Sequence, residues 1–297
     1  MKLLAKRREE PSLAFGGQAL IEGVMIRSRT HVVICVRQPN NEILTHTEEI
    51  NSVSERYRVL GLPFLRGIVA LFEAFYRGVK GVYFSANASL EEEEKFTYKE
   101  FTIVLALALA LVSFFFIVPF LLTTLLTNLF GLTGVLFNVV EAIMRLAIFL
   151  LYLALVAMWG EFKRVLQYHG AEHKTINAHE AGVVLNVANV REFSRLHPRC
   201  GTSFIFIVVL VSILLFSIMP NLGFVARLAY RVLLIPVIGA ISYELLKLSD
   251  RYKNSIIMRI VTIPGLAFQR LTTREPDDDM MEVAIEAVKE VSKLSGP

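Results

Sequence analysis

Hydrophobic positions along this chain gather into long blocks separated by short polar stretches, and the blocks set its organisation. Residues 101–127 contain no charged side chain over 27 positions. A bilayer core takes about 20 apolar helical residues, and a helix satisfies its own backbone there, so this block predicts a tilted transmembrane helix. Residues 143–160, 203–219 and 228–246 predict three more. The second ends in Trp159, an aromatic suited to the interface, and the third stops at Pro220. The fourth carries Pro236 and Gly239, which predict a kink.

Polar-faced segments frame these blocks. The runs HVVICVRQ and EILTHTEE, either side of Pro39-Asn40-Asn41, predict a β-hairpin. Residues 60–84 are apolar but interrupted by Pro63, Arg66, Gly67, Glu73, Arg77 and Lys80, a pattern that fits an interfacial or re-entrant helix better than a span. Glu91 to Glu94 read as a solvated acidic turn. In the tail, Asp277 to Asp279 suit a helix start, where the dipole favours negative charge. Met281, Ala284, Ile285, Val288 and Val291 then give that helix an apolar face to pack on the N-terminal unit.

The predicted fold class is therefore mainly α: a polytopic membrane protein with about four transmembrane helices, an interfacial helix and a small cytoplasmic β-hairpin unit. Its expected parts are 1–59, a cytoplasmic N-terminal unit; 60–100, the interfacial helix and acidic turn; and 101–160, the first two spans. A histidine-rich cytoplasmic loop at 161–202, the last two spans at 203–247 and a cytoplasmic tail at 248–297 complete it.

Composition agrees, with 54% hydrophobic and 20% charged residues. A net charge of +4 is too small to argue for a nucleic-acid partner. The basic residues flank the apolar blocks instead. Lys163, Arg164, Lys174, Arg191, Arg195 and Arg199 lie between the second and third spans, whereas 128–140 holds no basic residue. Positive-inside puts the basic loop in the cytoplasm, with both termini, of a multi-pass plasma-membrane protein. Arg251, Lys253 and Arg259 agree with that orientation; Arg227 and Arg231, at the outer end of the fourth span, oppose it. Lys2, Lys6, Arg7 and Arg8 precede no apolar run of the signal-peptide kind. Cys35 and Cys200 read as free thiols.

Reactive side chains concentrate in HGAEHKTINAHE, residues 169–180. On a continuous helix His169 and His173 stand at i and i+4, so both imidazoles face one side and can hold a divalent ion, zinc first among the options. His-x-x-Glu-His is the inverted order of inverzincin metallopeptidases, which makes Glu172 the candidate general base. The plainer reading is a helix at the membrane surface whose histidines meet headgroup phosphates or neighbouring loops. Glu180 shares the histidines' face but lies about 10 Å beyond His173 on an unbroken helix. Either the helix breaks near Ala178-His179 or a further ligand comes from elsewhere. His197 and Cys200, in HPRCGT before the third span, are the rivals, unless that segment is only a turn entering a helix. Glu22, an acid among apolar neighbours, reads as a salt bridge to Arg27 or Arg29 or as a further ligand. Glu141 and Arg145 read as a structural ion pair. His31 and His46 are expected at the surface. No Walker loop, Rossmann glycine pattern or Gly-x-Ser-x-Gly elbow occurs.

The blocks GGQALIEGVMIR, LPFLRGIVALFEAF, QYHGAEHKTINAHE, HPRCGTSF and PGLAFQRLTTREPDDD resemble the YqhQ-like family of bacterial membrane proteins across nearly the whole chain. The resemblance implies a metal-dependent enzyme, with the metal at His169, Glu172 and His173, and names no substrate. The leading expectation is a membrane-embedded, metal-dependent hydrolase with its site at the cytoplasmic face. The alternatives are a scaffold or assembly factor docking a soluble protein through 161–202, and a transporter built around Pro236 and Gly239.

Overall fold

The computed structural model describes residues 15–295 apart from 133, 199, 219–222, 253 and 254. Lys2, Lys6, Arg7, Arg8, Arg199, Pro220 and Lys253, used in the sequence reading, lie outside the described residues. In place of a single hairpin, residues 15–50 build a four-stranded antiparallel meander of β1 (Gly16–Leu20), β2 (Gly23–Arg27), β3 (His31–Arg37) and β4 (Ile43–Glu49), adjacent in that order. The predicted hairpin is β3–β4. Among the described residues ten α-helices follow: α1 (Val53–Arg56), α2 (Leu65–Ala88), α3 (Tyr98–Phe130), α4 (Gly134–Val156), α5 (Gly160–Glu180), α6 (Val187–Arg191), α7 (Gly201–Ser217), α8 (Phe224–Arg251), α9 (Ile256–Thr272) and α10 (Asp278–Ser295).

The sheet is covered on both faces. Val24, Ile26, Val33 and Cys35 point to α5 and α10, while Leu20, Met25, Val32, Ile34 and Val36 point to α2. Strands buried on two sides carry apolar residues at every position, so β2 and β3 lack the alternation that a half-solvated strand displays. The edge strand β4 keeps it. Helix α10 buries Met281, Ala284, Ile285, Val288 and Val291, the predicted face. It also buries Met280, Val283 and Ala287, because α10 is wedged between the sheet and α5.

Helix α2 joins this unit to the apolar helices. Its C-terminal half lies on the sheet through Val82, Phe84 and Ala88. Its N-terminal half crosses α8, where Gly67 meets Ala240 and Tyr243, and Arg66 donates two hydrogen bonds to Glu244, at 2.7 and 2.5 Å. Phe72, Phe75 and Tyr76 stay exposed.

Two helical stretches, Gly134–Met158 and Val225–Leu248, are long and apolar enough to cross a membrane. Among the described residues, α3 and α7 contribute the shorter apolar stretches Ile117–Thr127 and Ser203–Ser217. Helix α8 runs unbroken through Pro236. Between these helices lies a charge cluster larger than the predicted pair. Glu141 accepts from Arg145 on the next turn, at 2.5 Å, and from both terminal guanidinium nitrogens of Arg231 on α8. The Arg231 guanidinium also lies over the rings of Phe120 and Phe216, at 4.6 and 5.2 Å. Arg227 lies 4.6 Å over Phe137. Burial of a carboxylate among apolar helices demands cationic partners, and the aromatic faces take up the positive excess.

Candidate metal centre

Helix α5 is not a continuation of α4. The chain turns at Ala157 and Met158 and restarts with Trp159 at the N-cap, so the histidines ride on a separate helix packed against the sheet and α10. From there α5 runs unbroken to Glu180, and His169 and His173 fall one turn apart with ring centroids 4.4 Å from each other.

Each imidazole is fixed through its Nδ1. His169 Nδ1 lies 2.7 Å from the Thr272 carbonyl oxygen at the end of α9, and His173 Nδ1 lies 2.6 Å from that of Arg195. A carbonyl only accepts, so both Nδ1 atoms carry the proton and both Nε2 atoms keep their lone pairs. Burial holds both rings below the ordinary histidine range, His173 well below it with the adjoining His169 and His197 adding to the effect. They are neutral at pH 7, the form that binds metal.

Cys200 completes the group. Its Sγ lies 3.2 Å from His169 Nε2, and one ligand atom from each of His169, His173 and Cys200 lies within 4.8 Å of the other two. This His/His/Cys set could hold a metal ion. The turn carrying Cys200 is set by Gln269, fully buried on α9. Its Oε1 accepts from His197 N, and its Nε2 donates to the His197 carbonyl, both at 2.8 Å. A bond from Cys200 N to the His197 carbonyl closes the turn just before α7.

His197 and Glu180 pair with each other outside that group. The His197 ring centroid is 5.7 Å from that of His173, and its Nε2 is 3.8 Å from Glu180 Oε2. Because α5 does not break near Ala178-His179, Glu180 stays where the helical spacing puts it. Glu172 faces elsewhere. Its carboxyl is buried against Gly17 of β1, where any β-carbon would collide with it, and among the described residues no hydrogen bond reaches it. Burial pushes its pKa up to about 8, so it holds a proton at neutral pH. Glu22 finds neither Arg27 nor Arg29. It sits at a positive φ of 49° in the β1–β2 turn, facing α5, where Arg164 donates to it twice, at 2.6 and 2.5 Å, and the Tyr168 hydroxyl lies 3.3 Å away. Neither Cys35 nor Cys200 is in a disulfide, and both are buried.

Comparison with known proteins gives a family. Residues 62–294 match the family described as a protein of unknown function, DUF1385. The chain belongs to that family. It is also 35% identical over 312 aligned positions to a Bacillus subtilis (strain 168) protein described as uncharacterized protein YqhQ, an alignment covering 98% of this chain and 95% of the relative. No solved structure matches.

Four residues that support the site in this DUF1385 chain carry no signal in the sequence. Gln269 is one of several polar residues on α9, and Thr272 and Arg195 act through their carbonyls, which any residue supplies. The fourth is Gly170, between the two histidines. A β-carbon there would run into the Arg274 carbonyl. Its absence lets residues 272–274 lie along α5, tied by Arg274 N to the Leu166 carbonyl at 2.8 Å, and so brings the Thr272 oxygen to His169.

Proposed function

We propose that this DUF1385 chain is a multi-pass membrane protein with a divalent metal centre at its cytoplasmic face, and that the centre serves a hydrolase-type reaction. His169 and His173 would hold the ion through Nε2 and Cys200 through its thiolate, a nitrogen and sulfur set suited to zinc with a further position left for substrate. The observation that carries this reading is the pair of Nδ1–H···O=C anchors. Metal-binding histidines are routinely oriented by such bonds, and here two of them leave both Nε2 atoms unprotonated, that of His169 3.2 Å from the Cys200 thiol. An ion held there would supply Lewis acidity toward a carbonyl or phosphoryl oxygen.

The acids divide by environment. Glu172 is protonated at neutral pH and faces β1 rather than the His/His/Cys set, so it does not fit the general-base role its motif suggests. Glu180, partly exposed and beside His197, is the acid available to accept a proton.

The membrane reading takes α3, α4, α7 and α8 as four spans in the plasma membrane, with the sheet, α5 and α10 in the cytoplasm. Arg227 and Arg231, which oppose the positive-inside pattern, are engaged with Phe137 and Glu141. They count as packing between helices rather than as loop charge.

Metal analysis of detergent-purified protein tests the centre. About one zinc per chain is expected in the wild type and far less in His169→Ala/His173→Ala. Equal metal in both, or none in either, contradicts the proposal.

A further inference from the structure

Helix α2 turns its small residues inward and its large apolar ones outward. Its buried positions are Gly67, Gly78, Gly81, Ser85 and Ala86. Gly67 lies against Ala240 and Tyr243 of α8, and Gly81 against Leu20 and Met25 of the sheet. Leu65, Phe72 and Tyr76, at spacings of seven and four, form a stripe along the outside that Phe75 widens. A helix on a water-exposed domain does the reverse, with its apolar stripe toward the core. Phe72 and Tyr76 are each 69% exposed, so none of the described residues covers the stripe. The charged residues of this half are engaged elsewhere, Arg66 with Glu244 and Glu73 with Ser52 and Val53.

The level of α2 along α8 points to what covers the stripe. The part of α8 that is long and apolar enough to cross a membrane ends at Leu248. Glu244 and Ala240, where α2 crosses, lie about 6 and 12 Å before that end along a helix. Amphipathic helices at a membrane surface sink about 5–10 Å into the boundary between headgroups and chains, so the first turns of α2 stand at that depth. Apolar residues stay exposed on both sides of the crossing, Val237 and Leu245 on α8 and Leu62 and Phe64 on the chain entering α2. Phe64 is exposed at a backbone cost. Its φ is 69°, a region that bulky residues avoid, and the Glu244 carboxylate fixes the turn by accepting from Phe64 N at 3.4 Å and from Arg66 at 2.7 Å.

We infer that the outer face of α2, from Phe64 to Tyr76, is sunk in the cytoplasmic leaflet of the bilayer and that its partner is lipid hydrocarbon. The stripe carries no charge, so the contact requires no particular headgroup. The sheet on the C-terminal half of α2 is thereby held against the membrane at a fixed height. This rests on the reading of α8 as a span.

The test uses the full chain reconstituted in phosphatidylcholine vesicles, with Trp159→Phe removing the one native tryptophan. Single tryptophans are then introduced as Phe72→Trp or Tyr76→Trp on the stripe, as Leu233→Trp, exposed within the apolar part of α8, and as Lys289→Trp, exposed on α10. Their fluorescence is read in vesicles whose lipid chains are brominated either near the headgroup or near the chain ends. Bromine near the headgroup is expected to reduce the emission of Phe72→Trp and Tyr76→Trp by about half, and bromine near the chain ends to act less. Leu233→Trp should show the opposite order, and Lys289→Trp little change with either. Emission of Phe72→Trp and Tyr76→Trp untouched by bromine, with Leu233→Trp quenched, overturns the inference alone and leaves the stripe to solvent or a protein partner. No quenching of Leu233→Trp ends the span reading of α8 on which it rests. Quenching of the stripe that appears only when anionic lipid is added overturns the hydrocarbon contact in favour of headgroup attraction.

Discussion

Glu172 illustrates how much a single side chain's surroundings decide. The motif order suggests a base, yet the carboxyl is sealed against Gly17 and its pKa is pushed up to about 8. The linkage has a definite sign. A carboxyl that ionises at 4.5 in the unfolded chain and about 8 in the folded one stabilises the fold fully below pH 4.5. That contribution is lost as pH rises through 8, on the order of 5 kcal/mol in all. Glu172→Gln mimics the protonated form, so its thermal midpoint is expected to change less than that of the wild type between pH 5 and 8.5. Parallel curves would mean that the carboxyl is ionised throughout. The histidine pair itself was legible, since i,i+4 spacing fixes two side chains on one helical face whatever surrounds them. The side that Glu172 takes was not, because it depends on β1 packing beside α5.

At the scale of elements, the site is a junction of α5, α9 and the turn into α7, and Gln269 holds the junction. Gln269→Leu keeps the volume but strands the N–H of His197, a loss of about 1–3 kcal/mol when buried, and removes one of the two bonds to its carbonyl. Supporting contacts of this kind typically change metal affinity by about 10–100-fold. The variant is therefore expected to unfold at lower temperature and to yield its metal to a chelator more readily than Gln269→Glu, which retains the acceptor. Wild-type affinity in Gln269→Leu would show that the turn carries itself. The sequence announces elements unevenly. Helix α10 was readable from its apolar face, whereas β1, an edge strand that opens with two glycines, and β2, covered on both sides without alternation, were hidden.

Across the whole molecule, a sheet sandwiched between helices is joined to a group of apolar ones. Long blocks made the bundle legible by composition. The partner of Arg231 was not legible, because Glu141 lies 90 residues away and no local spacing joins the two. Glu141→Leu should cost about 3–5 kcal/mol by stranding Arg145 and Arg231, whereas replacing all three by Leu should recover most of that. Resistance to detergent-induced unfolding reads the difference, and a triple variant no more stable than the single one would show that the cluster does more than balance its own charge.

The central claim is that His169, His173 and Cys200 bind one ion together. Titration of metal-free protein with cobalt(II), followed by absorption, tests it most directly. A thiolate-to-cobalt charge-transfer band that saturates at one equivalent, and is lost in Cys200→Ser while tetrahedral or five-coordinate cobalt bands persist, is the expected result. A chain that binds no cobalt, or a spectrum identical in Cys200→Ser, would contradict the account.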